Sequence, residues 1–143
     1  MRPGMSLRYT GIRVTDLDRS LRFYCEGLGL REIGRGRMSH GGQFVGLEDP
    51  ETHVELELNL YPPGSPYATP YSPGEGLDHL GFVVPDARAT IEKLRAMGAR
   101  VAVEPWYENG RYWIGFVEDP DGIWIEVQDP SAEAAPTAPS GSS

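Results

Sequence analysis

Two hydrophobic periods run along the chain. HVELELNLY has period two, with Val54, Leu56, Leu58 and Leu60 on one side and His53, Glu55, Glu57 and Asn59 on the other, which predicts a half-buried strand with one wet face. Between residues 15 and 29 the period lengthens. Leu17, Leu21, Tyr24 and Leu28 fall on one stripe, predicting a helix capped by Thr15 or Asp16 and stopped at Gly27 or Gly29. A second helix is expected after Asp86, with Ala87, Ile91 and Leu94 turned inward, an exit at Gly98, and the strand-like ARVAVEP beyond it.

These patterns recur as a repeat. RYTGIRVTDLDRSLRFYCEGLGL from Arg8 lines up with DHLGFVVPDARATIEKLRAMGAR from Asp78, and EDP at Glu48 returns at Glu118. In this alignment the second copy carries one extra residue, Gly122, which makes Glu55 and Glu126 mates. Each copy reads β-α-β-β-β. The expected organisation is a short extension (1–6), a first module (7–62), a Pro-, Gly- and Tyr-rich linker (63–76), a second module (77–129) and a small, polar, disordered tail (130–143).

Composition narrows the chemistry. The single cysteine, Cys25, rules out an internal disulfide framework and a cysteine-built zinc site, so a metal here would be held by nitrogen and oxygen; a reducing cytoplasm is the expected compartment. Cys25 itself reads as a buried, inert helix residue. A formal charge of −8 and the lack of a basic stripe argue against nucleic acid, and no apolar run is long enough to predict a membrane span or a secretory leader.

Strand parity then picks out the candidate site. If Leu80, Phe82 and Val84 face the helices, His79, Gly81 and Val83 face the other way, as Tyr9, Gly11 and Arg13 do in the first copy. Likewise IWIEV sends Ile123, Ile125 and Val127 to the core and Trp124 and Glu126 outward. An imidazole, a phenol and two carboxylates on equivalent faces suit a divalent cation such as zinc, nickel, cobalt, manganese or iron. Glu57 reads as a solvated residue, and His53 and His40 lie outside the pattern. Trp106, Tyr107, Tyr112, Trp113 and Trp124 offer an aromatic wall for a substrate.

RVTDLDRSLRFYCEGLGL, LDHLGFVV and FVEDPDGIWIEV resemble the vicinal oxygen chelate superfamily, and within it the glyoxalase I-like enzymes. The resemblance spans roughly residues 7 to 128. It implies an α+β fold in which two βαβββ modules form a cup-shaped mixed sheet with helices outside, and a homodimer as the working assembly. It also implies metal ligands at Glu55, His79 and Glu126, with Glu126 or Glu55 as the proton-transferring base. Arg13 and Asn59 match positions that hold the carboxylates of a glutathione-type adduct. Tyr9 departs from the pattern, standing where glyoxalase I enzymes carry histidine or glutamine, and joins Trp113 and Trp124 as a substrate-lining candidate. The implied activity is isomerisation of a hemithioacetal or related 2-hydroxycarbonyl compound by metal-stabilised enediolate chemistry. Two alternatives in the same superfamily are an extradiol ring-cleaving dioxygenase, disfavoured by Tyr9 in place of a histidine, and a metal-free drug-binding protein of the bleomycin-resistance type, disfavoured by the retained acids.

Overall fold

The computed structural model describes residues 8–129 apart from His40, Tyr67 and Thr69; the expected extension and tail lie outside the described residues. The chain divides into two compact units, Met1–Pro70 and Tyr71–Ser143. Each holds one four-stranded mixed sheet of the same topology. The first contains β1 (Tyr9–Arg13), α1 (Leu17–Leu21), β2 (Arg31–Arg37), β3 (Gln43–Glu48) and β4 (Glu55–Leu60) in the order β1-β4-β3-β2. The second contains β5 (Leu80–Val83), α2 (Ala87–Ala96), β6 (Val101–Glu108), β7 (Tyr112–Glu118) and β8 (Trp124–Asp129) in the order β5-β8-β7-β6. The first and last strand of each module run parallel, the rest antiparallel.

The second module follows its pattern closely. Asp86 caps α2 through a hydrogen bond from the Ala89 N–H, and Ala87, Ile91 and Leu94 are fully buried against β6, β7 and β8. Gly115 lets them sit close, since a Cβ there would meet Ile91 Cδ1 at 2.6 Å. In β8, Ile125 and Val127 are buried while Trp124 is exposed, as parity predicts.

Two expectations for the first module change. Asp16 caps α1 by accepting from the Arg19 N–H, but after Leu21 the helix widens into a π-helical turn over Arg22–Gly27. A wider turn moves the inward stripe, so Ser20, Phe23, Tyr24 and Gly27 are buried while Leu17, Leu21 and Leu28 are only half-buried. In β4 the alternation starts one residue late. Val54 is 68 % exposed and lies before the strand, whereas Asn59, expected on the wet face, is 8 % exposed.

The turn before β4 accounts for that late start. In the first module the Asp49 N–H donates to the Val54 carbonyl; in the second the Asp119 N–H donates to the Ile123 carbonyl, one residue fewer away. The extra residue therefore belongs to the first module, the reverse of the sequence expectation. His53 (φ 64°) occupies the left-handed position that Gly122 (φ 91°) fills in the other turn, a conformation that suits glycine better than histidine. The consequence runs through the sheet. Glu48 pairs with Glu55 as Glu118 pairs with Trp124, and Gly11 pairs with Glu57 as Gly81 pairs with Glu126. The structural mate of Glu126 is Glu57, and Glu55 corresponds to Trp124.

Candidate metal and substrate site

His79 stands at the entrance of β5 on the sheet face away from α2. Its Nδ1 lies 2.7 Å from Asp78 Oδ2, and this hydrogen bond to the exposed carboxylate orients the ring. Nε2 is 3.9 Å from Glu126 Oε1, on the neighbouring parallel strand. Gly81 makes that approach possible, because a Cβ there would sit 3.3 Å from the same oxygen. Both side chains are sheltered without being sealed, 33 % exposed for His79 and 20 % for Glu126.

Aromatic rings wall this pair. Phe116 meets the imidazole edge-to-face at 5.5 Å between centroids, Trp124 lies 5.4 Å from Phe116, and Trp106 stacks on the far side of Phe116 at 6.3 Å. A cavity of about 380 Å³ opens here, lined by Pro73, Gly74, Asp78, His79, Phe116 and Trp124. Asp78 and Phe116 were not singled out in the sequence. Their signals were present: an acid next to the candidate imidazole, and an aromatic two residues before Glu118 on a period-two strand.

Trp113 is placed elsewhere. It shares the helix-side face with Gly115, and the Arg88 guanidinium of α2 stacks over its ring at 4.1 Å, so it braces the helix on the opposite side from His79. Cys25 is half-buried, and burial lifts its thiol above the ordinary range; it is protonated at neutral pH and no ready nucleophile.

In the first module the face away from the helix carries Tyr9, Gly11 and Arg13 from β1 and Glu55, Glu57 and Asn59 from β4, joined in register. Tyr9 is 51 % exposed. Glu55 lies across from Glu48, whose carboxylate is already engaged by Arg31 at 2.8 Å and by His53 Nδ1 at 3.2 Å. The Asn59 amide reaches the Ile12 and Glu57 carbonyls, each at 3.4 Å, tying β4 to β1 rather than pointing freely outward. Arg13 packs over the Tyr61 ring at 5.5 Å and lines a separate cavity of about 380 Å³ with Gln43, Tyr61, Pro62 and Pro63. Among the described residues, no three His, Cys, Asp or Glu side chains of either module gather around one point. The second module instead offers a preoriented nitrogen–oxygen pair, a donor set that fits a divalent cation.

Residues 6–127 match the family model described as the Glyoxalase/Bleomycin resistance protein/Dioxygenase superfamily. The chain belongs to this superfamily. It is 36 % identical over 136 residues to a probable lactoylglutathione lyase of Synechocystis, covering 90 % of this chain and 98 % of that protein. It is 39 % identical over 129 residues to the lactoylglutathione lyase of Haemophilus influenzae, covering 85 % of this chain and 90 % of the relative. Among solved structures, the trypanothione-dependent glyoxalase I of Leishmania major superposes with a TM-score of 0.72 at 29 % identity, over 92 % of this chain and 91 % of that one. These relatives are enzymes, and on that likeness so is this glyoxalase-like chain.

Proposed function

We propose that the protein is a metal-dependent, glyoxalase I-like lyase that isomerises a hemithioacetal, or a related 2-hydroxycarbonyl compound, by moving a proton between adjacent carbons. The observation that carries the reading is the imidazole oriented by Asp78, with its Nε2 turned to Glu126. The lactoylglutathione lyases among its relatives support the substrate class.

His79 and Glu126 would hold the cation on the second module. A divalent cation held there would supply Lewis-acid chemistry, easing loss of the C–H proton beside the carbonyl of a 2-hydroxycarbonyl substrate. Glu126 Oε1 takes that proton and returns it to the next carbon. Phe116 and Trp124 shield the transfer from bulk water and support the flat reacting group. Trp113, on the helix side, takes no part. Arg13 attracts a carboxylate of the thiol portion, with Asn59 fixing the strand that presents it. A homodimer working in the cytoplasm is our reading from the family likeness.

The test follows the proton. Zn²⁺- or Ni²⁺-loaded protein is given the hemithioacetal of a 2-oxoaldehyde and glutathione in D₂O, and deuterium entry at carbon is read by NMR. Wild type should form the thioester with exchange, and Glu126→Gln should slow it by roughly 10²-fold or more. Loaded wild-type protein that forms no thioester would contradict the proposal.

A further inference from the structure

We infer that Pro73 sets how large a group the cavity beside His79 admits, and that Gly122 is the seat that holds Pro73 in place. On the lyase reading above, on which this rests, the admitted group is the substituent next to the substrate carbonyl, and a methyl is favoured over a phenyl ring.

Local sequence fixes the shape of this wall. In YSPGEG the Glu75 N–H donates to the Ser72 carbonyl at 3.2 Å, closing a turn with Pro73 and Gly74 in the middle. Proline presets the backbone at the first central position, and Gly74, at φ 89°, takes the left-handed second one, the pattern of a type II turn. The turn is exposed, and its tip lines the cavity of about 380 Å³ that holds His79, Phe116 and Trp124. Phe116 and Trp124 stand on β7 and β8, and His79 leads directly into β5, so the sheet fixes them. Pro73 and Gly74 come from a turn, which can shift without disturbing the sheet.

The tip is seated on the turn before β8. A Cβ on Gly122 would lie 3.1 Å from Pro73 Cγ, so the proline ring rests where a side chain would otherwise stand. The seat is well braced: the Gly122 N–H donates to the Asp119 carbonyl at 3.0 Å, and Asp119 Oδ1 accepts from the Asp121 and Ile123 N–H groups, both at 2.8 Å. A left-handed backbone does not by itself call for glycine here, because His53 holds the same place in the first module's turn, at φ 64°, with a whole imidazole attached. Glycine at 122 answers to the proline packed on it. The enclosed volume is near the lower end for small-molecule sites, and the reacting carbons and their thiol portion must share it, so little room is left for a substituent while Pro73 is seated.

Seat and wall are tested separately. Asparagine tolerates a left-handed backbone, so Gly122→Asn keeps the turn while its side chain pushes Pro73 away. Under a glutamate-specific protease it should be cut after Glu75 several-fold faster than wild type, at an unchanged thermal midpoint. For the wall, calorimetry with Zn²⁺ supplied compares the affinities of two probes, glutathione thioesters of 2-hydroxy acids bearing a methyl or a phenyl group. Wild type should prefer the methyl probe, and Gly122→Asn and Pro73→Ala should each move the ratio several-fold toward the phenyl probe. A general loss of packing would weaken both probes together and leave the ratio alone, and Pro73→Ala serves by itself should Gly122→Asn not fold. Wild-type cleavage after Glu75 in folded Gly122→Asn overturns the seat. An unchanged ratio in Pro73→Ala, or wild-type protein that binds neither probe or prefers phenyl, overturns the wall. Wild-type protein that binds the methyl probe in preference yet isomerises no hemithioacetal would strike the proposed activity instead, so the two failures are distinct.

Discussion

At the scale of single residues, the site depends on what lies beside each donor. Asp78 holds the His79 ring through the 2.7 Å contact at Nδ1, which turns Nε2 toward Glu126. Glu126 reaches toward the imidazole because Gly81 presents no side chain in between. Gly81→Ala should therefore keep the fold, since Gly81 is exposed, yet press on the Glu126 carboxylate. We expect weaker Zn²⁺ binding with an unchanged thermal midpoint, measured by titration and calorimetry. Equal affinity with lowered stability would mean the glycine serves packing alone. The sheet face shared by His79, Glu126 and Trp124 was legible from parity in the sequence because β5 and β8 keep a strict alternation. The register mate of Glu126 was not, since Glu55 and Glu57 share a face and only the length of the preceding turn separates them.

At the scale of elements, turns and caps set where each side chain arrives. Asp86 and α2 could be read directly, because an Asp cap followed by inward Ala87, Ile91 and Leu94 has no competing arrangement. The first helix was harder. Its π-helical turn moves the buried stripe onto Phe23 and Gly27, and no local residue pattern announces a change in helical pitch. Trp113 was misplaced for a different reason: aromatic composition suggests a wall but does not say which sheet face it covers.

The Asp49 turn carries a pH signature. Its carboxylate accepts the Thr52 and Glu51 N–H groups, and these bonds, Thr52 first, hold its pKa below the ordinary aspartate value. The folded pKa is depressed, so the stabilisation is present above the unfolded value and fades as pH falls through the folded one. Urea midpoints should drop on acidification through that window, and Asp49→Asn should flatten part of the drop. An identical acid slope in the variant would remove the turn from the account.

At the scale of the molecule, two modules of one topology, not identical in loop length, carry donors of different chemistry on equivalent faces. The repeat makes the α+β fold legible in the sequence, since a strand, a capped helix and three further strands occur twice in order. The acidic charge of the chain agrees with small-molecule chemistry, and no helix among the described residues is long and apolar enough to cross a membrane. The superfamily is shared by lyases, oxygenases and binding proteins, so the distinguishing property of this chain is whether its donors hold a cation at all.

Metal analysis answers that directly. Protein prepared without chelators and dialysed against Zn²⁺ should retain the ion stoichiometrically, whereas His79→Ala and Glu126→Gln, still folded, should lose it. Retention at wild-type level by both folded variants would contradict the account.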